Sequence, residues 1–200
     1  MAVVLADKET QWAHMVERCR RVVDKLGKPI DEGIFETVVA LNLFGIHTCA
    51  SCEGHLEYGA YAPWVDIQTP GADAEEKIVN DAYKYYYEQV EAGKLSPIEL
   101  GQLYDHTLQC DLKADEKYLS ERHKLMIYLD LFYENQHSPY DRRLTIQHRE
   151  TWARLESQGT YFQRVSSEGL RMQKLSEYQE EMRAFTAFLK ELFFYGIDVK

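Results

Sequence analysis

The sequence predicts a helix-dominated α+β fold, a small and mainly antiparallel sheet covered by amphipathic helices, on three observations. Apolar residues recur at three- and four-residue steps over most of the chain, the period of a helix buried on one face. Short alternating stretches interrupt that period at residues 46–50 and 64–68, and again at about 142–148 and 152–158, with the period of a half-buried strand. No repeat, low-complexity tract or long linker divides the chain, so residues 1–200 are read as a single domain around one core.

The first helix is expected over about residues 8–26, where Trp12, Met15, Val16, Cys19, Val22, Val23 and Leu26 share a face. Gly27 and Pro29 end it, and Asp31 caps a second helix carrying Ile34, Phe35, Val38, Val39 and Leu41. Cys19, on the first stripe, reads as a small buried hydrophobe. After the first strand pair, Asp73 opens a helix that runs to about Ala92. It carries Tyr83, Tyr85, Tyr86 and Tyr87, and because consecutive helical positions spread around the axis, these are read as packing groups rather than a flat stacking platform.

Ser96-Pro97-Ile98-Glu99 combines a cap residue, a first-turn proline and a capping-box glutamate, so a helix starts there, and a further one is expected from about Ala114 to Glu134. Residues 73–137 are therefore a helical insertion between the strand pairs, broken by Ser138-Pro139-Tyr140-Asp141. In the long C-terminal helix, about residues 167–195, Leu175, Tyr178, Met182, Phe185, Leu189 and Leu192 form a seam. An internal contact is the preferred use of that seam, and a homodimer through the C-terminal helix is the alternative.

Composition narrows the partners. The 33 acidic residues exceed the 23 basic ones, and a net charge of −10 repels a phosphate backbone, so nucleic acid is not the default partner. No apolar run has the length of a membrane span, and the N-terminus lacks the basic start and apolar stretch of a signal peptide, so the chain is expected to act in the cytoplasm. The cysteines, Cys19, Cys49, Cys52 and Cys110, are unevenly spaced in a chain large enough to bury a core, which favours reduced thiols or a metal site over a disulfide framework.

Reactive side chains are densest in His47-Thr48-Cys49-Ala50-Ser51-Cys52-Glu53-Gly54-His55, where a strand leaves the sheet at a glycine. Three chemistries fit this run. As a nucleophile, Cys52 would be activated by His55, with Glu53 orienting the imidazole or shuttling a proton. As a zinc site, Cys49 and Cys52 form a CxxC knuckle completed by His55, or by His106 and Cys110, an i,i+4 pair on one helical face. As a binding turn, Ser51, the backbone at Gly54 and His55 receive a small polar ligand or anion, with Trp64 walling the pocket and Arg143 facing the ligand if its strand adjoins the turn. The last reading merges into a structural one, in which Glu53 and His55 satisfy buried backbone groups at a tight turn.

The stretch from Asp31 to Asn42, followed by Thr48, Ser51-Cys52-Glu53-Gly54-His55 and Trp64-Val65-Asp66-Ile67, resembles a group of uncharacterised bacterial and phage proteins with an SCEGH-type motif. Over about residues 31–67, the order helix, threonine, Ser-Cys-x-Gly, strand is also distantly similar to the tRNA wybutosine-synthesising methyltransferase family, whose turn reads Ser-Ser-Cys-Ser-Gly-Arg. That resemblance implies S-adenosylmethionine-dependent methylation of a tRNA base, with Ser51, Cys52 and Gly54 matching the family's turn. Here Glu53 replaces its serine and His55 its arginine, and no glycine-rich strand-to-helix turn of the Rossmann kind is present. Two functions follow: a small-ligand or nucleotide-related active site at the Cys-Glu-Gly-His turn, or a noncatalytic interaction or assembly protein whose turn is structural or zinc-stabilised.

Overall fold

The computed structural model describes residues 2–134, 136–149, 152–165 and 167–196, and the side chains of most of them. The chain is a helix-dominated α+β fold. Helices α1 (Ala2–Arg20) and α2 (Glu32–Leu43) precede strands β1 (Thr48–Cys52) and β2 (Trp64–Ile67). Helices α3 (Ala72–Glu91) and α4 (Pro97–Glu134) follow, then β3 (Leu144–Arg149), β4 (Trp152–Ser157), a 3-10 turn (Gln158–Val165) and α5 (Glu168–Tyr195). No described helix is long and apolar enough to cross a membrane.

The four strands form one antiparallel sheet in the order β1-β2-β4-β3, so β1 and β3 are its edges. Alternation along β2 works as the sequence predicts: Val65 and Ile67 turn to the helices, while Trp64 and Asp66 turn to the opposite face. On that opposite face Arg154, the register partner of Asp66, donates to both carboxylate oxygens at 2.7 and 2.9 Å and lies over the Trp64 ring at 3.8 Å.

Helix α2 is the hub of the core. It is apolar on nearly every side, as a helix surrounded by protein must be. Ile34, Val39 and Leu41 are fully buried in one cluster with Val65 and Leu155 of the sheet and Met182, Phe185 and Leu189 of α5. The α5 seam therefore packs inside the chain, where Phe185 also meets Phe132 edge to face at 5.3 Å. The α2–α5 contact contains a buried polar point, the paired hydroxyls of Thr37 and Thr186 at 2.7 Å, with Thr186 also donating to Met182 O, and at its rim Lys190 pairs with Glu36 at 2.8 Å.

Three expectations need correction. Helix α1 stops at Arg20 rather than near residue 26. The Asp24 carboxylate accepts the N–H groups of Leu26 and Lys28, giving the backbone a turn in place of another helical step, and Val22, Val23 and Leu26 stay exposed. The capping box at Ser96 and Glu99 forms, yet the two helices expected after it are one continuous α4 of 38 residues. Packing takes up only part of the tyrosine cluster, since Tyr85 and Tyr87 remain more than half exposed.

The far edge of the sheet hangs on α4 through Tyr133, whose hydroxyl accepts the Leu144 N–H at 2.7 Å and donates to the buried Glu181 at 2.9 Å. Tyr133→Phe keeps the ring, removes the acceptor of the Leu144 N–H and leaves the buried Glu181 with its ion pair to Arg142 at 3.8 Å, and is expected to cost about 1–3 kcal/mol in chemical denaturation. A loss below a few tenths of a kcal/mol would show that β3 is anchored elsewhere.

Candidate functional site

The site is built on a chain reversal at the end of β1. Gly54 has φ of +85°, and a Cβ there would lie 2.7 Å from the Ala62 carbonyl carbon and 2.9 Å from Pro63 N, so the reversal admits only glycine. His55 N–H donates to Ala60 O at 2.8 Å and closes the loop. Helix α5 backs the turn, with Gln179 donating to Glu53 O at 3.0 Å.

Two carboxylates change places beside this turn. Asp31 occupies the cap position of α2, but its side chain makes no capping bond to that helix. Glu53 supplies the cap from across the fold, accepting the Gly33 N–H at 2.7 Å. Any Cβ on residue 33 would stand 2.6 Å from that oxygen, so the glycine makes room for the capping carboxylate. The Asp31 carboxylate is free to accept the Glu53 N–H at 3.2 Å and to face His55 Nε2 at 3.5 Å. Glu53 is thus engaged as a cap, and Asp31 is the residue that sequence reasoning missed. Its cap position disguised it, and the only available signal was Gly33, unfavourable in the first turn of a helix that otherwise caps itself.

Asp31, Cys52 and His55 converge, with one ligand atom from each lying within 4.8 Å of the others. The His55 ring is stacked on Tyr58 at 4.4 Å. Cys52 is half-buried, and its sulfur accepts the Gly54 N–H at 3.3 Å. Burial pushes the Cys52 thiol above its ordinary range, the amides of Gly54 and Ala60 oppose that, and the carboxylates of Asp31 and Glu53 add to it. This is the reverse of what an activated thiol nucleophile requires.

The three groups open onto a cavity of about 510 Å³ bounded by the end of α1, the loop after it, α2 and the whole of β1. Met15, Val22 and Val38 give it an apolar wall, and Asn42, which donates to Thr48 at 2.8 Å, gives it a polar one. Ser51 and Trp64 line the same cavity. Cys49 lines it as well, but its thiol is exposed at a bulge and turned toward Asp66 O at 3.7 Å, outside the Asp31–Cys52–His55 cluster. Arg143 does not join the site. Its strand lies at the opposite edge of the sheet from β1, and its guanidinium sits over Tyr133 at 4.6 Å, beside a separate, more open hollow of about 740 Å³. His106 and Cys110 fall on α4, and their side chains lie outside the described residues.

The capping role of Glu53 has a measurable consequence. Glu53→Ala leaves the Gly33 N–H without its acceptor and is expected to destabilise the fold by about 1–2 kcal/mol, whereas Glu53→Gln keeps an acceptor and is expected to recover most of that in the same denaturation series. Equal losses for the two variants would rule out the cap as the function of Glu53. Comparison of the chain with protein-family models, with curated proteins and with solved structures finds no match, so the functional reading starts from this geometry.

Proposed function

We propose that Asp31, Cys52 and His55 hold a zinc ion on the wall of the cavity, and that the protein binds and polarises a small polar ligand at the metal's remaining coordination position. The observation that carries this is the convergence of a carboxylate, a thiol and an imidazole within 4.8 Å on one cavity wall. Adjacent ligand atoms of a tetrahedral zinc are about 3.3–3.6 Å apart, and His55 Nε2 already stands 3.5 Å from Asp31 Oδ2, too long for a good hydrogen bond and suited to two ligands of one ion.

Electrostatics supports the same reading. Neighbouring carboxylates oppose a bare Cys52 thiolate, but they favour one bound to a divalent cation. The backbone amide on the sulfur and the tyrosine stacked on the imidazole would orient two of the ligands. A thiol together with an imidazole selects zinc over magnesium or calcium. Among the described residues no fourth donor joins the cluster, which favours an open, ligand-accepting site over a closed structural one.

Protein purified under reducing conditions is expected to carry about one zinc per chain, to lose it in Cys52→Ser and His55→Ala, and to keep it in Cys49→Ala. Because zinc displaces the proton of a thiol whose pKa is raised, apparent affinity is expected to fall as pH falls toward the acid side of neutrality. Metal-free protein that takes up no zinc on titration, with Cys52 in its native environment, would end this reading.

A further inference from the structure

We propose that the ligand of the cavity is a short extended peptide with a free carboxylate, paired main chain to main chain along the outer edge of β1 and held electrostatically by Arg18 and Lys28. The proposal rests on the reading of the cavity as a ligand site, and it is independent of the metal.

The sheet order leaves β1 hydrogen-bonded on one side only, and all five of its residues line the cavity. A purely hydrocarbon ligand seated there would cover outward main-chain groups without giving them partners, whereas an extended peptide satisfies them as an added strand. Thr48-Cys49-Ala50-Ser51-Cys52 has small side chains throughout, and Cys49 and Ala50 are exposed, so a second backbone can come close. The bulge at Cys49 confines regular geometry to residues 50–52, which pair in unbroken register with Asp66, Val65 and Trp64. That matches a partner of about three residues, roughly 10 Å of extended chain.

The two cations of the cavity lining suit the end group, because the two acids of that lining are engaged, Asp24 by the Leu26 and Lys28 amides and Asp31 by the Glu53 amide. In a chain of net charge −10, Arg18 and Lys28 both line this cavity, both are exposed, and neither forms an ion pair among the described residues. They suit a carboxylate brought by the ligand. The other edge strand, β3, carries the larger side chains of Leu144, Ile146, Gln147 and His148, and nearby Arg143 lies over the Tyr133 ring.

The test is an amide-resolved NMR titration of the full chain with free-acid Ala-Xaa-Ala tripeptides, Xaa being varied over apolar and polar residues. The controls are the amidated peptides, peptides N-methylated at the central residue, and octanoate. At least one free-acid peptide is expected to bind at millimolar or lower concentration and to shift the amides of residues 50–52. Amidation, or the double variant Arg18→Glu with Lys28→Glu, is expected to weaken binding about tenfold, and central N-methylation to weaken it further.

The proposal is overturned if no tripeptide shifts those amides, if the N-methylated peptides bind as well as their parents, or if octanoate binds at the same place as tightly. Zinc content, measured on the same samples, separates this proposal from the metal reading. Zinc present without peptide binding removes the peptide alone, and peptide binding to zinc-free Cys52→Ser protein upholds the peptide while the metal reading is judged on its own titration.

Discussion

The exchange of carboxylates at the start of α2 is the constraint on which the site depends. A helix N-terminus leaves several N–H groups without intrahelical partners, and the residue in the cap position ordinarily supplies an acceptor. Here the acceptor comes from Glu53, across the fold, at 2.7 Å from Gly33 N. Asp31 is released from capping as a result and turns toward His55 and the Glu53 N–H. Had Asp31 capped its own helix, its carboxylate would be drawn away from His55 and the Glu53 N–H. One interaction therefore fixes α2 against the turn and decides which acid faces His55.

Rigidity around that exchange comes from the core. Helix α2 is buried among the sheet, α5 and part of α1, so its N-terminus cannot shift without disturbing Ile34, Val38 and Leu41. The turn is held from its other side by α5, through Gln179 on Glu53 O and through Leu175 packed against Gly54. Gly54 is the point of closest approach, where a side chain would meet the backbone at Ala62 and Pro63. Gly33 plays a different part, admitting one flexible carboxylate where a methyl group would displace it. Helix, turn and terminal helix thus define the positions of Asp31, Cys52 and His55 from three directions.

Much of the fold was legible in the sequence because its elements follow local periods. The alternation of Trp64, Val65, Asp66 and Ile67, the capping box at Ser96 and Glu99, and the seam of Tyr178, Met182, Phe185 and Leu189 each state their structure within a few residues. The end of α1 was not legible, because the stripe through Val22 and Leu26 continues in helical period while the Asp24 side chain bonds the backbone into a turn. Of the site, the run from Ser51 to His55 could be found, since its reactive groups are contiguous. Asp31 could not be assigned, because its role follows from a bond between Gly33 and a glutamate 20 residues away, and no local rule distinguishes a cap residue that caps from one relieved of that duty.

On the proposed metal reading, charge balance would match the cluster to a divalent cation better than to a free thiolate. The nearby cation Arg154 is already committed to Asp66, with its face on Trp64. The negative charge of Glu53 lies at the positive end of α2. That leaves Asp31 and Cys52 in a half-buried corner with one imidazole. With the thiol protonated the corner holds one carboxylate, and ionising Cys52 adds a second negative charge against both burial and two acidic neighbours. Zinc changes the sign of that cost, since its two positive charges balance one carboxylate and one thiolate while the imidazole coordinates as a neutral ligand. The features that make Cys52 a poor nucleophile on its own are therefore those that would make it a good ligand, and the carboxylate exchange at α2 is what puts the balancing charge within reach.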